Sequence, residues 1–338
     1  MDLNLFWYLM IGVLLTGYAI LDGFDLGVGT LHLFTRTDEE RRLSMNSIGP
    51  VWDGNEVWLV TAGGALFAAF PHAYATAFSG FYLAFMLLLC ALIFRAVALE
   101  FRSKRPSKGW RQSWDVAFFA SSTLSALLFG VAVGNMIQGI PIGADKEYAG
   151  GFWNLLTPYP LLVGVFNVSM FAMHGSIYLY LKTEGELQER VRQWFYKAFA
   201  IFVVLYVVVS CVTVWRLPSA TVNFREFPWL TGVVVLNVLA VANIPRAIYL
   251  GLPGRALVTS SLTIAALVLL FGVALFPNLI VSSMGPEYNL TAYNAASSQR
   301  TLWIMRNIAF IGLPFVLTYT VAIYWIFRGK VKLTPTSY

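Results

Sequence analysis

The sequence predicts an all-α protein that crosses a membrane many times, and three observations support this fold class. Of its 338 residues, 58% are hydrophobic and only 12% are charged, whereas soluble domains carry about 25% charged residues. Several apolar runs reach the roughly 20 residues that an α-helix needs to cross a bilayer. Prolines and short polar segments separate these runs, as expected for loops between membrane spans.

Nine membrane spans are predicted, and together they form a single transmembrane domain over residues 5–327. The second span is short unless its polar beginning is partly buried. Because the first span begins at Leu5, no removable signal peptide is expected. The predicted spans are Leu5–Phe34, Val57–Phe70, Ala75–Phe94, Trp114–Ile137, Leu161–Leu181, Phe195–Val214, Trp229–Tyr249, Ala256–Phe276 and Leu302–Phe327.

The distribution of basic residues predicts the orientation in the membrane, because cytoplasmic segments are enriched in Lys and Arg. With the N-terminus outside, 18 of the 23 basic residues fall in inside segments. Only Lys146, Arg216, Arg225, Arg300 and Arg306 fall outside. We therefore expect a periplasmic N-terminus and a short cytoplasmic tail over residues 328–338. This asymmetry explains the net charge of +6 better than nucleic-acid binding, so no nucleic-acid partner is expected.

Two pairs of acids interrupt or border apolar runs. Asp22 and Asp25 lie three residues apart in "YAILDGFDLGVG", and Asp53 and Glu56 have the same spacing in "GPVWDGNEVWLVTAGG". Residues three apart share one helical face, and the predicted topology places both pairs in the inner half of the membrane. Acids inside membranes usually face a bundle interior, a partner or water. A carboxyl group in apolar surroundings can take up and release protons near neutral pH, so the four acids are a candidate proton pathway.

The simpler interpretation is that the charged residues orient helices through ion pairs. Arg95 and Glu100, in "LIFRAVALEFR", are predicted to end the third span at the same depth and to form a structural ion pair. Glu56 also fits this interpretation. For Asp22, Asp25 and Asp53 a functional role is favoured, because they flank apolar runs rather than charged loops.

The histidines and cysteines argue against a haem or metal site in this chain. His32 and His72 are predicted at opposite membrane faces, which leaves His174 without a second histidine at its depth for haem ligation. Cys90 and Cys211 lie toward opposite faces and are expected to be unpaired, buried residues. Neither a metal-binding nor a phosphate-binding motif is present, so no metal ligands are predicted.

Six segments together resemble subunit II of the cytochrome bd quinol oxidases, and the resemblance extends from Leu5 to about Phe327. They are "LDGFDLGVG", "NSIGPVWDGNEVWLVTAGGALFAAFP", "FSGFYLAFML", "FRSK", "GVAVGNMIQGIP" and "ASSQRTLWIM". The resemblance implies two four-helix bundles plus a peripheral ninth helix in the bacterial cytoplasmic membrane. It also implies a haem-bearing subunit I with two b-type haems and one d-type haem, where quinol oxidation reduces dioxygen to water. A small single-helix subunit is left open, and lipid contacts are expected.

The resemblance also implies roles for individual residues. Asp53 matches an interface aspartate in a proton pathway toward the haems, and Trp58 matches a tryptophan beside a proposed dioxygen route between the subunits. Asp25 and Arg95 match polar residues with structural or proton-related roles. Asn294 stands where some relatives have Asp, so no chemistry is assigned to it.

Two rival functions remain open at this point. A proton-coupled transporter would explain acids in the membrane without a redox partner, but transporters usually place them at broken helices near the midplane. The acids here cluster toward one face instead. A scaffold that only stabilises subunit I would leave the same pattern in the sequence.

Overall fold

The structure is a computed structural model that describes residues 2–333, and α-helices dominate this part of the chain. A two-stranded antiparallel sheet accompanies them. The elements are α1 (Leu3–Leu31), α2 (Asp38–Ile48), α3 (Trp52–Ala69), α4 (Pro71–Gly80), α5 (Tyr82–Phe101), α6 (Lys108–Gln138), α7 (Pro158–Lys182), α8 (Gly185–Arg216), α9 (Val222–Glu226), α10 (Thr231–Tyr249), α11 (Pro253–Leu275), β1 (Asn278–Ile280), β2 (Leu290–Thr291) and α12 (Gln299–Ile326).

Eight helical segments between residues 2 and 333 are long and apolar enough to cross a membrane. They contain α1, α5, α6, α7, α8, α10, α11 and α12. Each corresponds to one of the nine predicted spans, which confirms the all-α, multi-pass fold class. Most of the helices are longer than predicted because they continue into polar residues at the membrane faces.

The remaining predicted span, Val57–Phe70, belongs to α3. This helix has 18 residues, and its first five residues include Asp53, Asn55 and Glu56, which lower its hydropathy. Its first turn lies beside α1 at the depth of Leu21, since the Asn55 amide donates to the Leu21 carbonyl oxygen. Its last residue, Ala69, accepts a hydrogen bond from the Ser297 amide, near the far end of the molecule. The helix therefore begins with polar groups, of which Asn55 is buried against α1.

The predicted boundaries of the third span are wrong. The chain between Ala75 and Phe94 is not one helix, because α4 ends at Gly80 and α5 begins at Tyr82. The continuous helix reaches Phe101 instead. Arg95 consequently lies within α5, where its side chain is fully buried, rather than at the end of a span.

The centre of the fold is α1, which packs against α3, α6, α7 and α11. Its approach to α7 depends on glycine. A Cβ atom at Gly27 would lie 1.8 Å from the Phe171 carbonyl oxygen, and one at Gly175 would lie 2.5 Å from the Gly27 carbonyl carbon. Small residues at such crossings let membrane helices approach backbone to backbone.

Around this centre, α5 packs on α6, α7 on α8, and α10 on α11. By contrast, α12 contacts mainly α1 and α3, and Leu302 is its only buried residue. It is therefore a peripheral helix.

The connecting segments gather at two ends of the molecule. At one end, which we call the basic end, Glu40 of α2 pairs with Arg190 of α8, and the Lys330 ammonium donates to the Thr183 carbonyl. At the opposite end, the Tyr293 hydroxyl donates to Asp2 over 3.0 Å. The residues before α1 and after α12 thus lie at different ends, and residues 334–338 of the predicted tail lie outside the described residues.

Candidate functional site

Three helices bring five polar residues together inside the molecule, and we call this group the acid cluster. It contains Asp22 and Asp25 of α1, Asn55 and Glu56 of α3, and Arg95 of α5. Asp22, Asp25 and Arg95 have no exposed surface, and Asn55 is 1% exposed. The sequence predicted that these acids share one depth, and the structure also makes them neighbours.

Arg95 joins the helices of the cluster. Its Nη1 donates to Asp22 Oδ1 over 2.7 Å, and its Nη2 pairs with Glu56. A buried charge is tolerated when it is paired and hydrogen-bonded. The guanidinium is thus an internal counter-ion for two of the four predicted pathway acids.

Asp25 has no direct contact of this kind with Arg95 and is held by an amide. The Asn55 Nδ2 group donates to Asp25 Oδ2 over 2.7 Å and to the Leu21 carbonyl oxygen over 3.2 Å. The other carboxylate oxygen of Asp25, Asp22 Oδ2 and the Tyr18 hydroxyl are buried without a protein hydrogen-bond partner. Buried polar atoms of this kind are common positions for ordered water.

Asp53 differs from the other predicted pathway residues because it lies on the surface of the chain. It is exposed and forms no hydrogen bond or ion pair with the residues that the structure describes. Val57, Val60, Gly64 and Phe67 continue the same face of α3 at helical spacing, and all are exposed. Thr61 is also exposed on this face. Asp53 is therefore the acidic residue of a largely apolar helix face, one turn from Glu56.

Trp58 points the other way, into the contact between α3 and α1. It is 8% exposed and clusters with Leu14, Tyr18 and Ala62. A Cβ atom at Gly17 would lie only 2.2 Å from the Trp58 ring, so the glycine provides the space that the indole fills. The residue predicted to line a dioxygen route thus packs directly beside the acid cluster.

The predicted ion pair between Arg95 and Glu100 gains no support from this geometry. The partners of Arg95 are Asp22 and Glu56, which are residues that the sequence assigned to a proton pathway. Glu100 lies in the last turn of α5 and is partly exposed. The side chains that contact Arg95 depend on how the helices are rotated about their axes. Residue spacing does not predict this rotation.

A second charged network at the basic end was missed by the sequence interpretation. Asp115 of α6 is fully buried and accepts from His32 Nε2 at 2.6 Å, Arg102 Nε at 2.5 Å and Arg41 Nη1 at 2.7 Å. Arg102 also pairs with Asp38 over 2.8 Å. The signal in the sequence was a lone acid near the beginning of an apolar helix that follows several basic residues. The network ties α2 and the segments that follow α1 and α5 to α6.

The histidines do not fit haem ligation. His174 is buried, and its ring nitrogens contact Ser260 Oγ at 2.8 Å and the Ile20 carbonyl at 3.0 Å. His32 contacts Asp115 at the basic end, and His72 is exposed in the first turn of α4. Within residues 2–333 no group of three or more His, Cys, Asp and Glu side chains could hold a metal ion.

Comparison with known proteins assigns the chain to a family. Residues 3–327 match the family described as cytochrome bd terminal oxidase subunit II. The chain belongs to this family. The resemblance noted in the sequence motifs is thereby confirmed, and the protein is a multi-pass protein of the bacterial inner membrane.

Curated relatives match almost end to end. The cytochrome bd-I ubiquinol oxidase subunit 2 of Escherichia coli (strain K12) is 40% identical over 97% of this chain and 95% of its own length. The cytochrome bd ubiquinol oxidase subunit 2 of Bacillus subtilis is 34% identical over 96% of both chains. A chain of the bd oxidase structure from Geobacillus thermodenitrificans shares the fold, with a TM-score of 0.80, 15% identity and coverage of 97% of this chain and 99% of that one.

Membership in the bd oxidase family has two direct consequences. As subunit II of a terminal oxidase complex, the chain implies a partner subunit I. The family match also removes the reason for assigning the buried acids to a stand-alone transporter. It does not distinguish an active proton pathway from a scaffold, since both occur in a subunit of a complex.

Proposed function

We propose that this chain is the haem-free subunit of a quinol-oxidising terminal oxidase and that it delivers cytoplasmic protons to dioxygen reduction in subunit I. In this proposal subunit I holds the two b-type haems and one d-type haem, and it binds quinol. The observation that carries the proposal is Asp53. It is an exposed acid on a largely apolar face of α3, one turn from the buried acid cluster.

The surroundings of Asp53 favour a partner protein over lipid. An ionised carboxylate facing hydrocarbon is costly, whereas a neighbouring subunit can supply polar groups or water. Gly63 and Gly64 follow on the same helix, and among the described residues a Cβ atom at either position would meet nothing within 4 Å beyond its chain neighbours and the local helix backbone. Small residues let helices of two subunits approach closely. We therefore propose that this face of α3 contacts subunit I.

The acid cluster supplies the next proton-binding groups behind Asp53. Glu56 lies one helical turn after Asp53 on α3, and Arg95 joins Glu56 to Asp22. The unpartnered oxygens of Asp22 and Asp25 can bind water. Protons would thus pass among Asp53, Glu56, Asp22 and Asp25, while Arg95 offsets their charge. Trp58, packed against Gly17, is proposed to border the route of dioxygen.

The proposed topology has nine spans, including α3, with the N-terminus in the periplasm and residues 328–338 in the cytoplasm. The basic end carries most of the cationic loops, which supports its assignment to the cytoplasm. The course of α3 from the depth of Leu21 to Ser297 supports its inclusion as a span. The peripheral position of α12 beside α1 and α3 agrees with two four-helix bundles plus one further helix.

The decisive experiment is Asp53→Asn in the assembled complex of this chain with subunit I. We expect quinol-driven oxygen consumption and cytoplasmic proton uptake to fall by about 100-fold, the low end of what a positioned proton-transfer group contributes, with normal haem content. Glu39→Gln is the matched control, because Glu39 is an exposed acid at the basic end and its replacement removes the same charge. Unchanged turnover and uptake in Asp53→Asn would leave the scaffold role as the correct one.

A further inference from the structure

A tyrosine on the peripheral helix α12 contacts the acid cluster. The Tyr324 hydroxyl donates to Asn55 Oδ1 over 2.8 Å. Asn55 in turn donates through Nδ2 to Asp25. A continuous hydrogen-bonded chain thus runs from α12 through α3 to a buried carboxyl group of α1.

The chemistry of an amide makes the tyrosine contact directional. Both Nδ2 hydrogens of Asn55 are engaged, one by Asp25 and one by the Leu21 carbonyl, so Oδ1 is free to accept. While Asp25 is ionised, reversing the amide would place Oδ1 against a carboxylate oxygen, and two acceptors cannot form a hydrogen bond. The Tyr324 hydroxyl, as the donor to Oδ1, stabilises the orientation in which Asn55 presents an N–H group to Asp25.

Tyr324 is itself held from two sides. Its ring packs edge-on against Phe24, with centroids 6.4 Å apart, and Phe24 stacks on Tyr178 at 4.0 Å. Phe327 lies three residues beyond Tyr324, at the C-terminal end of α12. Its carbonyl oxygen accepts a hydrogen bond from the ammonium group of the buried Lys182. A cation stabilises the negative end of a helix dipole. Few buried contacts hold α12 elsewhere, so this anchor determines where Tyr324 lies.

We propose that Tyr324 is a positioning residue for proton transfer, which acts on Asp25 through the Asn55 amide and is kept in place by Lys182. The inference rests on the proposed function, because it assigns Asp25 to the proton pathway. Tyr324 touches neither quinol nor dioxygen in this proposal. Its effect is to set the hydrogen bonding of one carboxyl group.

The test is a double-mutant cycle in the assembled, haem-containing complex, with turnover recorded as a function of pH. Tyr324→Phe, Asn55→Leu and the combined variant are compared with Tyr319→Phe, an exposed tyrosine of the same helix. We expect Tyr324→Phe to lower turnover roughly two- to tenfold, the effect of one lost hydrogen bond, and to shift the pH profile. The charged and titratable groups around Asp25 are Asp22, Glu56, Arg95, Tyr178 and Tyr324.

The cycle distinguishes the outcomes. If Tyr324 acts through Asn55, the combined variant equals Asn55→Leu within a factor of two; effects that multiply would overturn the inference. Lys182→Met provides an independent test, because loosening the end of α12 should reproduce the pH shift of Tyr324→Phe without touching the cluster. An unchanged profile in Lys182→Met would overturn the role of the anchor.

Asp25→Asn separates this inference from the proposed function. If Asp25→Asn alters proton uptake while Tyr324→Phe changes neither turnover nor pH profile, the positioning role is wrong and the proton pathway stands. If Asp25→Asn and Asp53→Asn both leave uptake unchanged, the proposed function fails, and the positioning role fails with it.

Discussion

Arg95 and Asp22 form an ion pair over 2.7 Å in which both side chains are fully buried. The pair connects α5 with the central helix α1, and Glu56 extends it to α3. Removing one partner of a buried pair leaves the other charge uncompensated, which typically costs about 3–5 kcal/mol. The pair therefore links the stability of the helix packing to the proton pathway that we propose for the cluster.

Arg95→Met should destabilise the complex by about 3–5 kcal/mol, because Asp22 and Glu56 lose their shared counter-ion. The effect is measured by thermal unfolding of the purified complex, with haem release as the signal. The control is Arg225→Met, at an exposed arginine outside the cluster, which is expected to change stability by less than about 0.5 kcal/mol. Equal unfolding temperatures for the two variants would contradict the structural role of Arg95.

The crossing of α1 and α7 predicts opposite results for two glycines of α1. In Gly27→Ala the new methyl group would meet the Phe171 carbonyl oxygen at 1.8 Å, and backbone cannot move aside as a side chain can. We expect the free energy of unfolding to fall by at least about 1–3 kcal/mol, the usual cost of overpacking. In Gly12→Ala the new methyl group meets no atom within 4 Å, so helix propensity favours alanine by about 1 kcal/mol. Yield of assembled complex and its unfolding temperature compare the two directly.

The network at the basic end predicts a strong dependence on Asp115. Its carboxylate accepts from His32, Arg41 and Arg102, so Asp115→Ala leaves a buried Arg102 without its main partner. A destabilisation of about 3–5 kcal/mol is expected. Asp38→Ala removes an acid that also pairs with Arg102, but its side chain is 46% exposed, and exposed pairs contribute about 0–1 kcal/mol. The loss of structure is measured as increased protease sensitivity of residues 35–50. Similar sensitivity in Asp115→Ala and Asp38→Ala would contradict the central role of Asp115 in the network.

Trp58 tests the proposed dioxygen route. Trp58→Leu shortens the side chain that fills the space beside Gly17 and should change the apparent KM for dioxygen at least twofold, while turnover at saturating dioxygen stays the same. A barrier along an access route alters the rate at low substrate concentration and not the later chemistry. The control Trp229→Leu replaces a tryptophan that is 74% exposed. A fall in maximal turnover with an unchanged KM would point to damage of the acid cluster instead of the route.

Much of the architecture follows from local sequence properties. Apolar length predicts the helices because each span must satisfy its backbone hydrogen bonds within itself. Small residues in "LDGFDLGVG" are also a local signal of close helix packing, and Gly27 lies at such a contact with α7. The interruption at Phe81, by contrast, was not foreseen, because the apolar run from Tyr82 onward continues the hydropathy of α4 without a polar break.

The candidate site was predicted only in part. The spacing of Asp22 with Asp25 and of Asp53 with Glu56 located four acids at one depth, and the charge asymmetry indicated which end they approach. Spacing could not show that Asp53 faces outward while Glu56 faces Arg95, since that depends on the rotation of α3 against α1. Asn55, between the two acids in the motif, was overlooked because its importance comes from Tyr324, 269 residues later in the chain.

The sequence by itself determined the membrane class and the family, because hydropathy and motif are properties of neighbouring residues. Tertiary structure decided the pairing. Arg95 meets Asp22 and Glu56, Asp115 collects three cationic or imidazole donors, and Tyr324 reaches Asn55. These contacts depend on how each helix is rotated and on how closely glycines let the helices approach. A buried charged group pairs with the partner that helix packing places within hydrogen-bond distance.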